Sequence, residues 1–136
     1  MTTDTRQIPL IPPRGGSQIP QLGFGVFQVP PEQTEEVVAT ALEAGYRHLD
    51  TAAAYRNEAT VGQAIRASWL SRGEMFVTTK CFNDDQGHEE ARRAFHASLE
   101  RLEMDYVDLY LIHWPVRPTT ATWRPGRRSS SFATRV

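Results

Sequence analysis

Two hydrophobic periods alternate along the 136-residue chain. Short apolar runs with a two-residue repeat give way to longer stretches in which apolar positions return every three or four residues. These are the patterns of strand and amphipathic helix. Ile8–Ile11 and Gln18–Pro20, parted by Gly15 and Gly16, predict a short hairpin. Leu22–Phe27 reads as a first strand containing two glycines. A helix then opens at Pro30-Pro31, holds Val37, Val38, Ala41 and Leu42 on one face, and stops at Gly45. Tyr46–Asp50 is the next strand. Asn57 stands where it can cap a second helix, in which Val61, Ile65 and Trp69 share a face and which Gly73 closes. Strand Phe76–Lys80 follows. A third helix, from about Glu89 to Leu102, sets Ala91, Ala94, Phe95, Ser98, Leu99 and Leu102 on one stripe, and strand Tyr106–His113 ends at Trp114-Pro115.

This alternation predicts an α/β fold with a parallel sheet and right-handed crossovers. Parallel strands end on one rim, where α/β enzymes build their sites. Three predicted strands close on polar residues: Asp50, Lys80 and His113. By the two-residue repeat Asp50 shares a face with His48, Lys80 with Thr78 and Phe76, and His113 with Leu111, Leu109 and Val107. If those faces turn inward, the polar ends sit above an apolar core. An unpaired lysine there is costly, which makes Asp50 its natural partner. Tyr55, five residues past Asp50, adds a phenol to the acid, the amine and the imidazole.

Composition sharpens this pattern. Lys80 is the only lysine, against 14 arginines. A compact, tunable ammonium is something a guanidinium, bulky and always charged, cannot supply. Residues 1–116 carry 10 Lys or Arg against 16 Asp or Glu, a balance of −6, whereas residues 117–136 carry five arginines and no acid. The overall charge of −1 gives no general attraction to nucleic acid. No apolar run approaches the ~20 residues that span a bilayer. The first residues, Met1–Gln7, lack the apolar stretch of a signal peptide, so a cytoplasmic location is expected. A single cysteine, Cys81, leaves no internal disulfide and no Cys-based zinc cluster within one chain.

Five segments together carry a resemblance: Leu22-Gly-Phe-Gly-Val-Phe27, Gly45-Tyr-Arg-His-Leu-Asp-Thr-Ala52, Tyr55-Arg-Asn-Glu58, Thr79-Lys80 and Leu109-Tyr-Leu-Ile-His-Trp-Pro115. In this order and spacing, from roughly Ile8 to Pro115, the chain resembles the aldo-keto reductases. Within that family it resembles the small bacterial members such as the 2,5-diketo-D-gluconate reductases. The resemblance implies the N-terminal half of a (β/α)8 TIM barrel: about four parallel strands with three helices, preceded by the short hairpin. It implies NADPH as cofactor, a small-molecule carbonyl substrate, reversible reduction of aldehydes and ketones, and no metal. Residue by residue, Asp50, Tyr55, Lys80 and His113 match the family's catalytic four. On that match Tyr55 is the general acid; an unperturbed phenol has a pKa of about 10, so its proton must be loosened. The charge of Lys80 favours the phenolate, Asp50 holds Lys80 in place, and a neutral His113 orients and polarises the carbonyl. Phe27 and Trp114 match walls of the substrate pocket, and Gly25, Val26 and Asp50 match positions beside the cofactor.

Taken singly, these residues have blander readings. An isolated Asp50 pairs with an arginine, a lone Tyr55 is an aromatic at a helix start, and Cys81 is packing. His48, below the rim, is structural, and His88 and His96 are solvated without metal spacing. Gly23-Phe-Gly25 mimics a dinucleotide fingerprint whose third glycine is replaced by Gln28. Only the four site residues taken together outweigh these readings.

A full barrel typically needs ~250 residues, and the family's later strands carry most of its cofactor contacts. The chain is therefore expected to divide into a truncated barrel, 1–116, and an Arg-rich tail, 117–136, that is disordered or frameshift-derived. Thr122-Trp123-Arg124 matches the start of a family helix before the likeness stops. One codon choice for residues 127–135, read two bases later, gives Glu-Lys-Leu-Leu-Leu-Arg-Asp-Ala, a helix continuation. The expected consequences are aggregation, degradation or edge-to-edge self-association. Two alternatives to the reductase are a non-catalytic fragment and a small α/β binding module with a basic tail.

Overall fold

In a computed structural model of the protein, residues 8–11 and 18–116 are described; the basic tail lies outside them. Leu10–Ile11 (β1) and Ile19–Pro20 (β2) form the antiparallel hairpin, Leu10 opposite Pro20. Four further strands build one parallel sheet: Phe24–Gly25 (β3), His48–Asp50 (β4), Phe76–Cys81 (β5) and Leu109–Ile112 (β6), in sequence order. Helices Pro31–Glu43 (α1), Glu58–Ala67 (α2) and His88–Leu102 (α3) connect them. This is the expected arrangement of a hairpin, four parallel strands and three crossover helices.

Apart from β5, which runs one residue past the expected Lys80, the strands are shorter than the apolar runs suggest, yet backbone pairing continues past their ends. Phe76 N donates to Arg47 O at 2.7 Å, Val26 N to Asp50 O at 3.0 Å and His113 N to Cys81 O at 3.0 Å. After α1 the chain turns through Gly45, whose φ of +99° suits a residue without Cβ. Gly45 N donates to Leu42 O and Tyr46 N to Ala41 O, the paired bonds that close a helix through a left-handed residue. α3 ends the same way, with Met104 N on Leu99 O, but Glu103 takes the left-handed position, at φ 51°.

The apolar core lies between sheet and helices. Leu49 and Val77 from the sheet meet Val38 and Leu42 of α1, Val61 and Ile65 of α2, and Leu102 of α3. Thus the core occupies the sheet face opposite Asp50 and Lys80. The expectation of an apolar core beneath the polar strand ends is corrected: that face carries His48, Phe76, Thr78, Leu109 and Leu111, with Leu111 39% exposed. Trp69 is likewise corrected. α2 ends at Ala67, so Trp69 leaves the Val61–Ile65 face and is 74% exposed, with the Arg47 guanidinium 5.5 Å from its ring centre. Cys81 is buried on the helix side, where it is packing, as read.

At the start of β5 and just before β6, Arg72 and Asp108 tie the sheet together. Arg72 Nη2 donates to Asp108 Oδ2 at 2.7 Å and to Tyr106 O, and Nη1 donates to Met75 O. The same carboxylate oxygen accepts from Val77 N at 2.9 Å. His48, half-buried below the rim, has Nε2 2.9 Å from Thr78 Oγ1 and Nδ1 3.4 Å from Pro20 O, so it links the hairpin to the sheet. A carbonyl only accepts, so the neutral ring carries its proton on Nδ1 and accepts the Thr78 hydroxyl at Nε2.

Candidate active site

Parallel pairing puts Gly25 beside Asp50, Asp50 beside Thr78, and Lys80 beside Leu111. The ends of β3, β4, β5 and β6 therefore share a rim, and the predicted residues converge on it. Lys80 Nζ donates to Asp50 Oδ1 at 2.5 Å and to the Thr51 carbonyl at 2.9 Å. The Tyr55 hydroxyl lies 3.4 Å from the same nitrogen. Lys80 is largely enclosed, so its ammonium exchanges water for a carboxylate, a carbonyl and a phenol.

Tyr55 comes from the 3-10 turn Ala53–Tyr55 that follows β4, and its ring sits at the centre of an aromatic group. Phe27 packs on one side with ring centres 5.1 Å apart, and His113 meets it edge-on at 5.5 Å. His113 Nδ1 is buried without a hydrogen-bond partner. Trp114 stacks on His113 at 6.5 Å, and its carbonyl accepts from Gln86 Nε2. Phe27 and Trp114 are 64% and 68% exposed, so they stand as open walls above the rim. Gly25 is exposed, with open space where a Cβ would point, whereas the Val26 side chain is buried in the core. All eight residues singled out as catalytic, cofactor-side or pocket positions thus lie at or beside the rim. A separate cavity of about 670 Å³ shares Ala53, Ala54 and Arg56 with the Tyr55 turn and continues to Phe82, Arg93 and Arg101, but it is not lined by Tyr55.

Sequence reasoning missed the buried polar residues behind the rim. Asn57 precedes α2, as a cap does, yet its side chain makes no cap hydrogen bond. It reaches back to Val26 O, Val29 O and Thr51 Oγ1 instead. Glu58, buried, accepts from Thr79 Oγ1 at 2.6 Å and from Arg101 Nε at 2.7 Å. The available signal was the Asn-Glu pair directly after the Tyr55 turn. Its ordinary helix-start reading concealed it, because a helix N-terminus attracts the same residue types. Of the unassigned histidines, His88 is exposed and beside Glu89, and His96 is exposed, both as read.

Comparison with known proteins places this geometry. The family model described as "Aldo/keto reductase family" matches residues 16–126. An aldo-keto reductase of Mycobacterium sp. (strain KMS) is 56% identical over 108 residues, 79% of this chain and 39% of that protein. Morphine 6-dehydrogenase of Pseudomonas putida is 54% identical over 114 residues, 84% of this chain and 38% of its own. The crystal structure of an aldo/keto reductase from Brucella melitensis superposes with a TM-score of 0.79 at 50% identity, over 81% of this chain and 42% of that one. The chain thus spans about two fifths of the length of the curated relatives it matches. With a family match across most of its length and the same α/β half-barrel as a solved member, this chain belongs to the aldo/keto reductase family.

Proposed function

We propose that the chain carries the proton-delivering side of an NADPH-dependent oxidoreductase that reduces small aldehydes and ketones to alcohols. The observation that carries this reading is the bonding of Lys80 Nζ, which holds Asp50 and the Thr51 carbonyl and lies 3.4 Å from the Tyr55 hydroxyl. Bound NADPH would supply the hydride that the carbonyl carbon takes up. Tyr55 gives its phenolic proton to the carbonyl oxygen, which becomes the hydroxyl of the product. Lys80 stabilises the phenolate left behind by its positive charge, and Asp50 keeps Lys80 charged and aimed. His113, edge-on to Tyr55, orients the substrate oxygen toward the phenol. Gly25 fits the nicotinamide side because its backbone is open at the rim, next to Asp50. Val26 holds that backbone by anchoring its own side chain in the core. Phe27 and Trp114 bracket the substrate. The reading includes a cytoplasmic location and a small-molecule substrate rather than a nucleic-acid or membrane partner. No helix among the described residues is long and apolar enough to cross a membrane.

The test is NADPH consumption at 340 nm with a small aldehyde, backed by fluorescence titration of NADPH binding. Tyr55→Phe is expected to bind NADPH as the unaltered chain does and to reduce aldehyde about 10²- to 10⁴-fold more slowly. Equal turnover by Tyr55→Phe overturns the assignment of Tyr55 as the acid.

A second reading concerns association, and exposed apolar residues along β6 favour it. Leu111, Ile112, Trp114 and Val116 are exposed, and among the described residues β6 has no strand on its outer side. We take this edge as a surface for edge-to-edge self-association.

A further inference from the structure

The Tyr55 ring packs against the apolar core, but its hydroxyl is lightly held. Its hydroxyl has one long polar contact, to Lys80, and its ring touches Phe27 and His113. Core packing places the ring, and the aim of the phenol depends as well on the backbone that carries it. That backbone is the turn Ala53–Tyr55, followed by Arg56 in a left-handed conformation at φ 59°. Directly after it stand Asn57 and Glu58, each 1% exposed.

These two side chains reach three different strand exits. Asn57 Nδ2 donates to Val26 O at 3.0 Å and Val29 O at 3.1 Å, closing the turn that carries Phe27 and the left-handed Gln28. Asn57 Oδ1 accepts from Thr51 Oγ1 at 3.0 Å, and the Thr51 carbonyl is the one Lys80 grips. Glu58 accepts from Thr79, the neighbour of Lys80 on β5, and from Arg101 on α3. A cap at this position turns its side chain toward the first free N–H groups of the helix; Asn57 turns away from them. Residues other than glycine held in left-handed conformations are strained and persist where their surroundings over-determine them. Gln28 and Arg56 are two such residues, the first in the turn that Asn57 closes and the second directly before Asn57.

We propose that Asn57 and Glu58 form a clamp that positions the Tyr55 phenol over Lys80 and holds Phe27 against it. They are positioning residues, acting through Tyr55 rather than on substrate. The inference deepens the reductase reading and rests on it, but its structural content can be measured without turnover.

The chain has four tyrosines, so 3-fluorotyrosine labelling of the full protein gives four fluorine resonances, with Tyr55 assigned by Tyr55→Phe. In Asn57→Ala the Tyr55 resonance is expected to shift or split while those of Tyr46, Tyr106 and Tyr110 stay in place. Thr51→Val, which removes one hydrogen bond of the clamp, gives the same selective change and decides the matter if Asn57→Ala does not fold. An unmoved Tyr55 resonance in a folded variant overturns the proposal, and so does a common shift of all four. With aldehyde and NADPH, kcat of the folded variant is expected to fall about 100-fold, the scale of a 1 Å misplacement, with KM for NADPH unchanged. A selective fluorine change in a chain that turns over nothing leaves the clamp standing and removes the reductase reading. Turnover with an unmoved Tyr55 resonance does the reverse.

Discussion

His48 shows how a residue outside the rim still bears on the whole site. Burial holds its imidazole below the usual range, more than the Pro20 carbonyl and the charges of Asp50 and Asp108 raise it, while Lys80 lowers it further. The folded protein therefore takes up this proton less readily than the unfolded chain. The neutral ring's contribution is fully present above the unfolded value of about 6.5 and is lost as pH falls through it toward the lower folded value. Thermal midpoints measured between pH 8 and pH 5 are expected to drop below about pH 6.5, and His48→Asn to lose that part of the drop. Identical slopes for both proteins sink the idea. At this scale the sequence was informative where one side chain closes a strand. Asp50, Lys80 and His113 are legible because strand direction and a two-residue repeat place them on one rim. Asn57 was not, because its identity suits a helix cap as well as a clamp. Only its bonds to Val26, Val29 and Thr51 separate the two.

The elements have their own weak point at the end of α3. Gly45 after α1 and Glu103 after α3 occupy the same left-handed position, one without a Cβ and one with it. A non-glycine residue there is strained, and replacing it removes the strain at the expense of a looser unfolded chain. The Glu103 pairing with Arg66 offers little in return, since the two side chains are 68% and 40% exposed and solvent screens the pair. Glu103→Gly is expected to raise unfolding free energy by up to about 1 kcal/mol in urea titration; a loss of stability counts against the strain argument. Helices were legible here and strand ends were not. Pro30-Pro31 and Gly45 bracket α1 from chemistry alone, and apolar spacing locates α2 and α3. The trimming of Leu22–Phe27 to Phe24–Gly25 depends on a turn through Gln28, a residue with no turn preference of its own. Trp69 misled for a similar reason: its spacing continues the α2 face, but the helix stops two residues before it.

Across the whole molecule, a parallel sheet four strands wide was legible from the alternation of elements, and the side of the sheet that holds the core was not. Alternation fixes which residues share a face, and only the helices decide which face they cover. Leu49 and Val77 went under the helices, and Thr78 and Lys80 went to the other side. The exposed apolar residues Leu111 and Ile112 of β6, which has no outer neighbour among the described residues, lead to an expectation for the assembled state. Sedimentation velocity at micromolar concentration should show species larger than a monomer, and Ile112→Lys, which puts a charge on that edge, should shift them back. A monomer at all concentrations removes the association reading. Cys81, buried one strand in from that edge, has a further consequence. Its Sγ donates to Phe82 O and Asp85 O, and burial pushes the thiol pKa up, so the folded chain offers a reagent almost no thiolate. As the sole thiol in the sequence, it is a built-in clock: the rate at which a disulfide reagent labels it times the separation of β5 from its cover, one event at one place, with no engineered probe.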